Sequence, residues 1–395
     1  MSVLTINAGS SSIRFAFYGP GSDSAKLEFG KIERIGQPGA SFEVSAGTGK
    51  KAQRVPLDAG SFRSAVDSLV KWLEAQPRFA DVSAVGHRVV HGMAHAQPAR
   101  VTPRLLEEFK AAIPYDPEHL PQEIEFIETL GRRFPRLVQV ACFDTAFHRT
   151  MPRVATLLPI PRRYEAQGVR RYGFHGLSYT FLVQELARLG DPAAERGRVI
   201  LAHLGNGASI AAVRDGRSID TSMAFTPAAG LPMSTRSGDL DPGVLCFLGR
   251  SEGRSADSLQ KMVNHESGLL GMSETSSDVR DLLSREHEDV RAAEAIGVFC
   301  YQAKKWVAAF AGALGGLDTL VFAGGIGENS EPVRTRICEG LQFLGVDLDE
   351  VRNREHAPLI SAGRVAVRVI QTDEESVIAR MTAETLARSP QGADA

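Results

Sequence analysis

The sequence predicts an α/β protein made of two related halves. Short apolar strands alternate with amphipathic helices up to about residue 150, and a strand–turn–strand pattern near the N-terminus recurs in the middle of the chain. The length of 395 residues is also large for a single hydrophobic core. We therefore expect two domains, at residues 1–150 and 151–375, and a final helix at 376–395 that packs back on the first domain.

The first copy of the repeated pattern is a β-hairpin at residues 3–17. An apolar strand leads into a small polar turn at 7–12, and the alternation of apolar residues resumes at Ile13. Backbone N–H groups and hydroxyls in such a turn suit phosphate oxygens. An ordinary hairpin turn explains this segment equally well when it is considered alone.

A second copy of the hairpin favours the phosphate-binding interpretation. Residues 199–213 again join two apolar strands through an Asn/Gly/Ser turn, and aligning Ser209 with Ser12 superposes the two turns. A third glycine turn follows an apolar strand within residues 320–329. We therefore expect two related halves that close on a nucleotide from both sides, without a Walker-type loop.

The other elements follow from the spacing of apolar residues along the chain. Residues 19–55 are predicted to form further strands, with an exposed tip at 47–51. Helices are predicted at 61–76, 102–112 and 122–132, then up to residue 189, at 289–314 and 330–341, and from 376 onward. Strands are predicted at 82–85, 137–143 and 365–371. Polar segments follow several strands, where ligands collect in open α/β sheets.

The composition argues against nucleic-acid and membrane partners. The 45 basic and 47 acidic side chains give a net charge of -2, so no overall field attracts a polyanion. Four widely spaced cysteines in apolar contexts, Cys142, Cys246, Cys300 and Cys338, predict buried free thiols in a reducing compartment. The chain leads straight into a strand, so we expect no signal peptide and a cytoplasmic location.

The polar segments contain the side chains that phosphoryl transfer requires. Arg88 and Arg236 offer planar forks for carboxylate or phosphoryl oxygens, and Asp144 and Glu374 offer carboxylates near a metal ion. On residue type alone, each arginine could be buried for structural reasons. His175 could equally be a core histidine that is bonded to a backbone carbonyl.

Together these segments resemble the acetate kinases, a family that phosphorylates short carboxylic acids. The matching stretches run in the family's order along the chain, at 7–12, 86–92, 143–148, 170–176, 203–209, 220–223, 226–227, 235–239, 276–281, 325–329 and 372–375. The resemblance implies a duplicated actin-like (RNase H-like) fold with an interdomain nucleotide cleft. It also implies ATP, Mg²⁺ (with Mn²⁺ able to substitute), a carboxylate such as acetate, the products ADP and acetyl phosphate, and a homodimer.

The resemblance further implies roles for individual residues. Catalytic roles fall to Asp144, His175 and Arg236, and metal binding falls to Asn7 and Glu374. The acid and its acyl group are implied to contact Arg88, Val90, Phe174 and Pro227. The nucleotide is implied to contact Ser12, Arg14, His203, Leu204, Gly205, Asn206, Gly207, Asp278, Val279, Arg280, Gly325, Ile326, Gly327, Glu328 and Asn329.

The sequence departs from the family's pattern at a few positions. Arg14 stands where the family has a lysine, and Tyr179 stands where it has a histidine. Residues 114–119 read P-Y-D-P-E-H, whereas the family has L-H-N-P followed by Asn. This last change affects the expected choice of acyl group more than the expected reaction.

The resemblance favours Mg²⁺-dependent, reversible, direct in-line transfer from ATP to acetate. A kinase for propionate or another short acid is a close alternative. A sugar kinase on the same scaffold would need an aspartate base rather than two arginines. An actin-like ATPase that is not a kinase would have no need for Arg88, His175 and Arg236 together.

Overall fold

The structure is a computed structural model that describes residues 2–9, 12–20, 25–47 and 52–388. The chain forms two compact units, of which the first comprises Met1–Ala146 with Asp373–Ala395 and the second comprises Phe147–Thr372. Most of the predicted tip at 47–51 and the last residues of the predicted 376–395 helix lie outside the described residues.

Strands and helices alternate along both units. The strands are β1 (Ser2–Ala8), β2 (Ser12–Tyr18), β3 (Lys26–Glu33), β4 (Ser41–Ser45), β5 (Gln53–Arg54), β6 (Val82–Val89), β7 (Ala99–Arg100), β8 (Val138–Phe143), β9 (Arg198–Leu204), β10 (Ala208–Arg214), β11 (Arg217–Thr221), β12 (Thr319–Ala323) and β13 (Ala366–Val369). The helices are α1 (Phe62–Glu74), α2 (Pro103–Ala112), α3 (Leu120–Arg133), α4 (Arg153–Thr156), α5 (Arg162–Glu165), α6 (Gly176–Arg188), α7 (Pro242–Ser251), α8 (Ala256–His265), α9 (Gly268–Ser273), α10 (Val279–Arg285), α11 (Val290–Leu314), α12 (Gly324–Asn329), α13 (Glu331–Cys338), α14 (Glu350–Arg354) and α15 (Glu374–Arg388).

The described strands of the first unit form one mixed sheet in the order β5-β4-β3-β2-β1-β6-β8-β7. Strand β1 is antiparallel to β2 and parallel to β6, which is in turn parallel to β8. Helix α1 covers one face through a core that includes Leu69 and Phe15, while α15 packs on β1 through Ala379. Because β1, β6 and β8 are parallel, their carboxyl ends meet at one edge of the sheet.

The second unit repeats this arrangement with its own sheet, in the order β11-β10-β9-β12-β13. Strands β9 to β11 are joined antiparallel, and β9 is parallel to β12, which is parallel to β13. Helix α6 packs on this sheet through Leu182 and Leu186, and α11 also contacts β9 and β10. The same order of antiparallel and parallel pairings in both sheets confirms the predicted duplication.

Several sequence predictions need correction. Strand β6 extends to Val89 rather than ending at residue 85, because it pairs with β1 on one side and β8 on the other. The third glycine turn is helix α12, whose first N–H, from Gly324, donates to the Glu328 carboxylate at 2.9 Å. The last helix begins at Glu374 rather than at residue 376, so Glu374 and Glu375 lie in its first turn.

Three of the four cysteines are buried free thiols, as predicted, but Cys246 is exposed on α7. The apolar sequence around Cys246 indicated burial, yet none of the residues of α7 is buried in the isolated chain. In the described part of the chain, no helix combines the length and apolar character that crossing a bilayer requires.

Candidate functional site

In the first unit, polar side chains meet at the carboxyl ends of three parallel strands. Asn7 lies near the end of β1, Arg88 near the end of β6, and Asp144 directly after β8. The register aligns Ile6 with His87 and Arg88 with Cys142, so the three side chains come from neighbouring positions. The sheet therefore brings together residues that are far apart in sequence.

Arg88 and Asp144 form a buried ion pair. Nε and Nη2 of Arg88 donate to Oδ2 of Asp144 at 3.0 and 2.7 Å, and Nη1 donates to Oδ1 of Asn7 at 3.4 Å. The Asp144 side chain is fully buried. Burial opposes the charge of Arg88, but Asp144 and Glu374 more than offset it and keep the pKa of the guanidinium above its ordinary value. Arg88 is therefore a fixed cation.

Two acidic side chains at the start of α15 flank Asn7. Its Nδ2 donates to Glu374 at 2.8 Å and to Glu375 at 3.3 Å. Removal from water raises the pKa of Glu374; Arg88 partly counteracts this, and the charge of Asp144 adds to it. Burial and the adjacent Glu374 likewise raise the pKa of Glu375. A cation at this position would relieve the cost of ionising both carboxyl groups.

Glu123 is a buried acid that the sequence did not single out. It lies in the first turn of α3, and its two carboxylate oxygens accept the N–H of Val90 at 3.1 and 3.2 Å. Burial, together with the charge of Asp116, raises the pKa of Glu123 well above its ordinary value. Glu123 therefore fixes the backbone at a residue that the resemblance places in the acyl pocket.

The predicted catalytic residues of the second unit converge on Gly207. A Cβ atom added to Gly207 would lie 3.2 Å from Nε2 of His175 and 3.5 Å from Nη1 of Arg236. The same Nη1 donates to the carbonyl of Pro227 at 3.3 Å. His175 and Arg236 thus lie beside one small backbone position, and the Pro227 carbonyl contacts Arg236.

Two other histidines contact His175 and its neighbour Phe174. The ring of His203 lies 4.4 Å from the ring of His175, centroid to centroid, and its Nδ1 is 2.8 Å from Oγ of Ser178. His148 reaches the carbonyl of buried Phe174 at 3.0 Å. In the first unit, burial lowers the pKa of His87 to about 4, so this ring is neutral at neutral pH.

The two glycine-rich segments of the second unit that were predicted to bind nucleotide are neighbours, because β9 pairs with β12. Gly205 and Gly325 approach so closely that a Cβ atom on Gly205 would lie 3.8 Å from the Gly325 nitrogen. Gly324 has φ +75°, and a side chain there would collide with the Leu204 carbonyl. Of the remaining predicted residues in these segments, Asn206, Gly325 and Asn329 are exposed, Ile326 and Glu328 half-buried, and Leu204 and Gly327 buried.

The other predicted nucleotide residues belong to other elements of the chain. Asp278 caps α10 and pairs with Arg280 at 2.6 Å, while Val279 is buried beneath them. In the first unit, Ser12 begins β2, and exposed Arg14 pairs in register with Asn7. The positive charge of Arg14 helps to lower the pKa of Glu374, although burial dominates.

Arg334 is a buried residue that the sequence analysis missed. Its Nη1 donates to the carbonyls of Gly327 and Glu328 at 2.9 and 3.0 Å, and so holds the end of α12. Its Nε and Nη2 bind Asn353. The only signal in the sequence was an arginine shortly after a glycine-rich segment, which is too general to identify such a role.

Comparison with known proteins identifies what this chain is similar to. The sequence matches the model of the acetokinase family over residues 2–380. It is 43% identical to the acetate kinase of Methylocella silvestris, over 96% of each chain. It is 40% identical to the propionate kinase of Citrobacter rodentium, over all of this chain and 99% of that one. The crystal structure of Porphyromonas gingivalis acetate kinase is similar with a TM-score of 0.86 and 35% identity, covering 98% of this chain and 99% of that chain.

Proposed function

The chain belongs to the acetokinase family, and we propose that it catalyses the reversible transfer of the γ-phosphoryl group of ATP to acetate. The products are acetyl phosphate and ADP. The transfer is direct and in line, with the acetate carboxylate as the attacking group. Single displacement at phosphorus inverts its configuration, so a chiral γ-phosphoryl group provides a stereochemical test.

The buried Arg88–Asp144 pair is the observation that carries this proposal. A kinase that phosphorylates a hydroxyl group needs a base to remove a proton, whereas acetate has a pKa of roughly 4 to 5 and is ionised at neutral pH. Asp144 accepts two N–H bonds from Arg88 through one oxygen. This arrangement suits an aspartate that orients a carboxylate-binding arginine rather than one that removes a proton.

The second unit supplies groups for the phosphoryl oxygens. Nε2 of His175 and the guanidinium of Arg236 lie beside Gly207. Phosphoryl transfer places negative charge on the equatorial oxygens in the transition state, and preformed donors stabilise that charge without reorganisation. We assign the stabilising roles to His175 and Arg236, and nucleotide binding to residues 203–207, 278–280 and 325–329 with Ser12 and Arg14.

The residues around Asn7 fit a magnesium ion. Mg²⁺ prefers oxygen ligands and usually takes one or two carboxylates with substrate phosphates, so it does not need a cluster of protein ligands. In the ranges that the structure describes, no group of three or more His, Cys, Asp or Glu side chains forms a metal site. Glu374 and the Asn7 amide would hold the ion, which neutralises phosphate charge when bound.

Acetate is the preferred acceptor in this proposal. Val90, Phe174 and Pro227 are assigned to contact the acyl methyl group, and one additional methylene there is worth about 1 to 3 kcal/mol, or roughly 10- to 200-fold in kcat/KM. We expect acetate and propionate both to react and longer acids to react poorly. Glu123 follows the altered segment at 114–119 along the chain and lies on α3. Its carboxylate accepts the backbone N–H of Val90.

We further propose that the protein is a homodimer in the cytoplasm. Helix α7 has no buried residue, and Val244 and Phe247 on it are exposed, as is Val298 of α11. With α8 these helices surround a cavity of about 450 Å³. A second copy would cover this apolar surface. Sedimentation of the purified chain at micromolar concentration tests the dimer, and Phe247→Asp should dissociate it.

A coupled assay tests the proposed reaction. The purified chain with ATP and Mg²⁺ is offered formate, acetate, propionate, butyrate, a sugar panel or no acceptor, and ADP release and acyl phosphate are measured. Acetate should give the highest kcat/KM. A preference for butyrate, sugar phosphorylation, or ADP release that needs no acceptor would each overturn the proposal.

A further inference from the structure

A chain of three polar side chains lies behind the predicted catalytic histidine. The Tyr179 hydroxyl is 2.5 Å from Oγ of Ser209, which is 2.8 Å from Nδ1 of His175. Tyr179 lies on α6, Ser209 on β10, and both are fully buried. Because Nδ1 faces the serine, the other ring nitrogen, Nε2, is the one beside Gly207.

We propose that Ser209, held by Tyr179, fixes the tautomer of His175 so that Nε2 carries the proton and donates to a phosphoryl oxygen. The inference rests on the role given to His175 in the proposed function. Ser209 and Tyr179 are positioning residues, because they act through His175. Of these three side chains, only His175 contacts the substrate.

Two directions of hydrogen bonding are possible along this chain, and only one suits a phosphoryl group. If Nδ1 of His175 carries the proton, it donates to Ser209, and Nε2 presents a lone pair that repels phosphoryl oxygens. If Ser209 donates to Nδ1, Nε2 carries the proton and becomes a donor. The single Ser209 proton is then used, so the Tyr179 hydroxyl donates to Ser209.

The backbone sets the direction in which the His175 side chain leaves the main chain. His175 has φ +59°, a left-handed conformation that is uncommon for residues other than glycine, and it stands at the N-cap of α6. A half-turn of the ring would replace Nδ1 by a carbon atom and leave Ser209 without this bond. The backbone thus aims the ring, while Ser209 selects which nitrogen bears the proton.

Tyr179 is one of the positions at which the sequence departs from the pattern of the resembled family, which has histidine there. An imidazole gains a positive charge within the physiological pH range, whereas a phenol does not. A tyrosine therefore holds Ser209 without adding a nearby charge as the pH falls.

Nuclear magnetic resonance of the full chain with ¹⁵N-labelled histidine tests the tautomer directly. His175→Asn identifies the His175 signals, and spectra are recorded at mildly alkaline pH. The wild-type ring should be the Nε2–H tautomer, and Ser209→Ala should shift it toward Nδ1–H. Ser218→Ala is the matched control, because Ser218 is a buried serine 2.8 Å from Nδ1 of His148. It should alter His148 and leave the His175 tautomer unchanged.

Kinetics supply the second measurement. Ser209→Ala should lower kcat about 10- to 100-fold, less than the roughly 10⁴-fold caused by a wrong histidine tautomer in a serine protease. KM for ATP and acetate should change little, because the donor acts in the transition state. Tyr179→Phe should cause a smaller loss of kcat, and Tyr179→His should retain the wild-type rate at alkaline pH.

The outcomes separate this inference from the proposed function. A wild-type Nδ1–H tautomer, or unchanged tautomer and kcat in Ser209→Ala, would overturn the inference. If Ser209→Ala does not fold, the same two measurements are made on Tyr179→Phe, which removes only one oxygen atom. An unchanged tautomer and kcat in that variant would likewise overturn the inference. A chain with the expected tautomer but no carboxylate kinase activity would refute the function and leave the hydrogen-bond assignment standing.

Discussion

The two units place opposite chemistry at equivalent positions of their two sheets. In the first, the end of β1 is surrounded by Asp144, Glu374 and Glu375, with Arg88 as the central cation. In the second, Gly207 in the turn after β9 lies beside Nε2 of His175 and the guanidinium of Arg236. The shared strand order fixes where polar side chains gather, and the side chains alone decide which charge is bound there.

This difference suggests a division of labour between the units. An acidic set with one fixed arginine favours a metal ion and one small carboxylate, whereas glycines with N–H donors favour phosphate oxygens. Duplication of the fold therefore need not duplicate function. The following predictions test whether the two positions differ in this way, from the largest expected effect to the smallest.

Arg236→Ala should mainly lower kcat, whereas Arg88→Ala should also raise KM for acetate. Loss of a cation that acts only in the transition state costs about 3 to 4 kcal/mol, by analogy with an oxyanion donor. Loss of a group that holds the ground state appears in KM. Steady-state kinetics with both substrates measures the split, and Arg217→Ala, at an exposed arginine on β11, is the control. If Arg236→Ala and Arg88→Ala changed kcat and KM to the same extent, the proposed contrast between the units would be refuted.

Asp144→Asn should lower the rate at every pH, because it weakens the charge that orients Arg88. Removing the charge of one partner of a buried ion pair costs about 3 to 5 kcal/mol of stability. The cost is smaller here if the amide oxygen of the introduced asparagine keeps one hydrogen bond from Arg88. Rate against pH and thermal unfolding measure the two effects. Combining Asp144→Asn with Arg88→Ala should cost less than the sum of the single changes. Recovery of the rate at high pH with magnesium affinity retained would instead establish Asp144 as a base.

Glu123→Ala should change the acetate-to-propionate ratio of kcat/KM by up to about tenfold, since it releases the backbone at Val90. It should also destabilise the fold by about 1 to 3 kcal/mol, because the buried N–H of Val90 loses its acceptor. Glu123→Gln keeps an acceptor oxygen and is the matched control. An unchanged ratio in the alanine variant would show that this backbone bond is purely structural.

Magnesium should raise the unfolding midpoint more at mildly alkaline than at mildly acidic pH. Because the pKa of Glu374 is raised on folding, the folded chain binds more protons than the unfolded chain above the ordinary carboxyl pKa. Stability from this group therefore falls as the pH rises through that window, and Mg²⁺ offsets the loss by replacing the proton. Each kcal/mol corresponds to about 2 to 4 °C in a unit of this size.

Scanning calorimetry with and without Mg²⁺ at two pH values measures this effect. Glu374→Gln removes one of the two carboxyl groups whose pKa is raised here and should reduce the pH dependence of the magnesium shift. An equal shift at both pH values in the wild-type chain would place the metal away from Glu374 and weaken the contrast between the acidic and the donor-rich unit.

The sequence by itself determined the repeated units and their chemistry. Both hairpins, the helix at 289–314 and the family resemblance depend on local spacing of apolar residues or on short motifs, which are visible without a fold. Helix α11, for example, begins after Asp289, which caps its first turn, and ends at Gly315. Such signals lie within a few residues of the structure that they predict.

Only the tertiary structure decided which distant side chains meet. The Arg88–Asp144 pair, the Glu123 bond to Val90 and the Ser209 bond to His175 all depend on strand register or on the placement of a helix over a sheet. A change of register by one residue turns every side chain of a strand to the other face, and no local pattern encodes that choice. The sequence thus supplied the candidate site residues, while sheet pairing and burial set their hydrogen-bond partners and orientation.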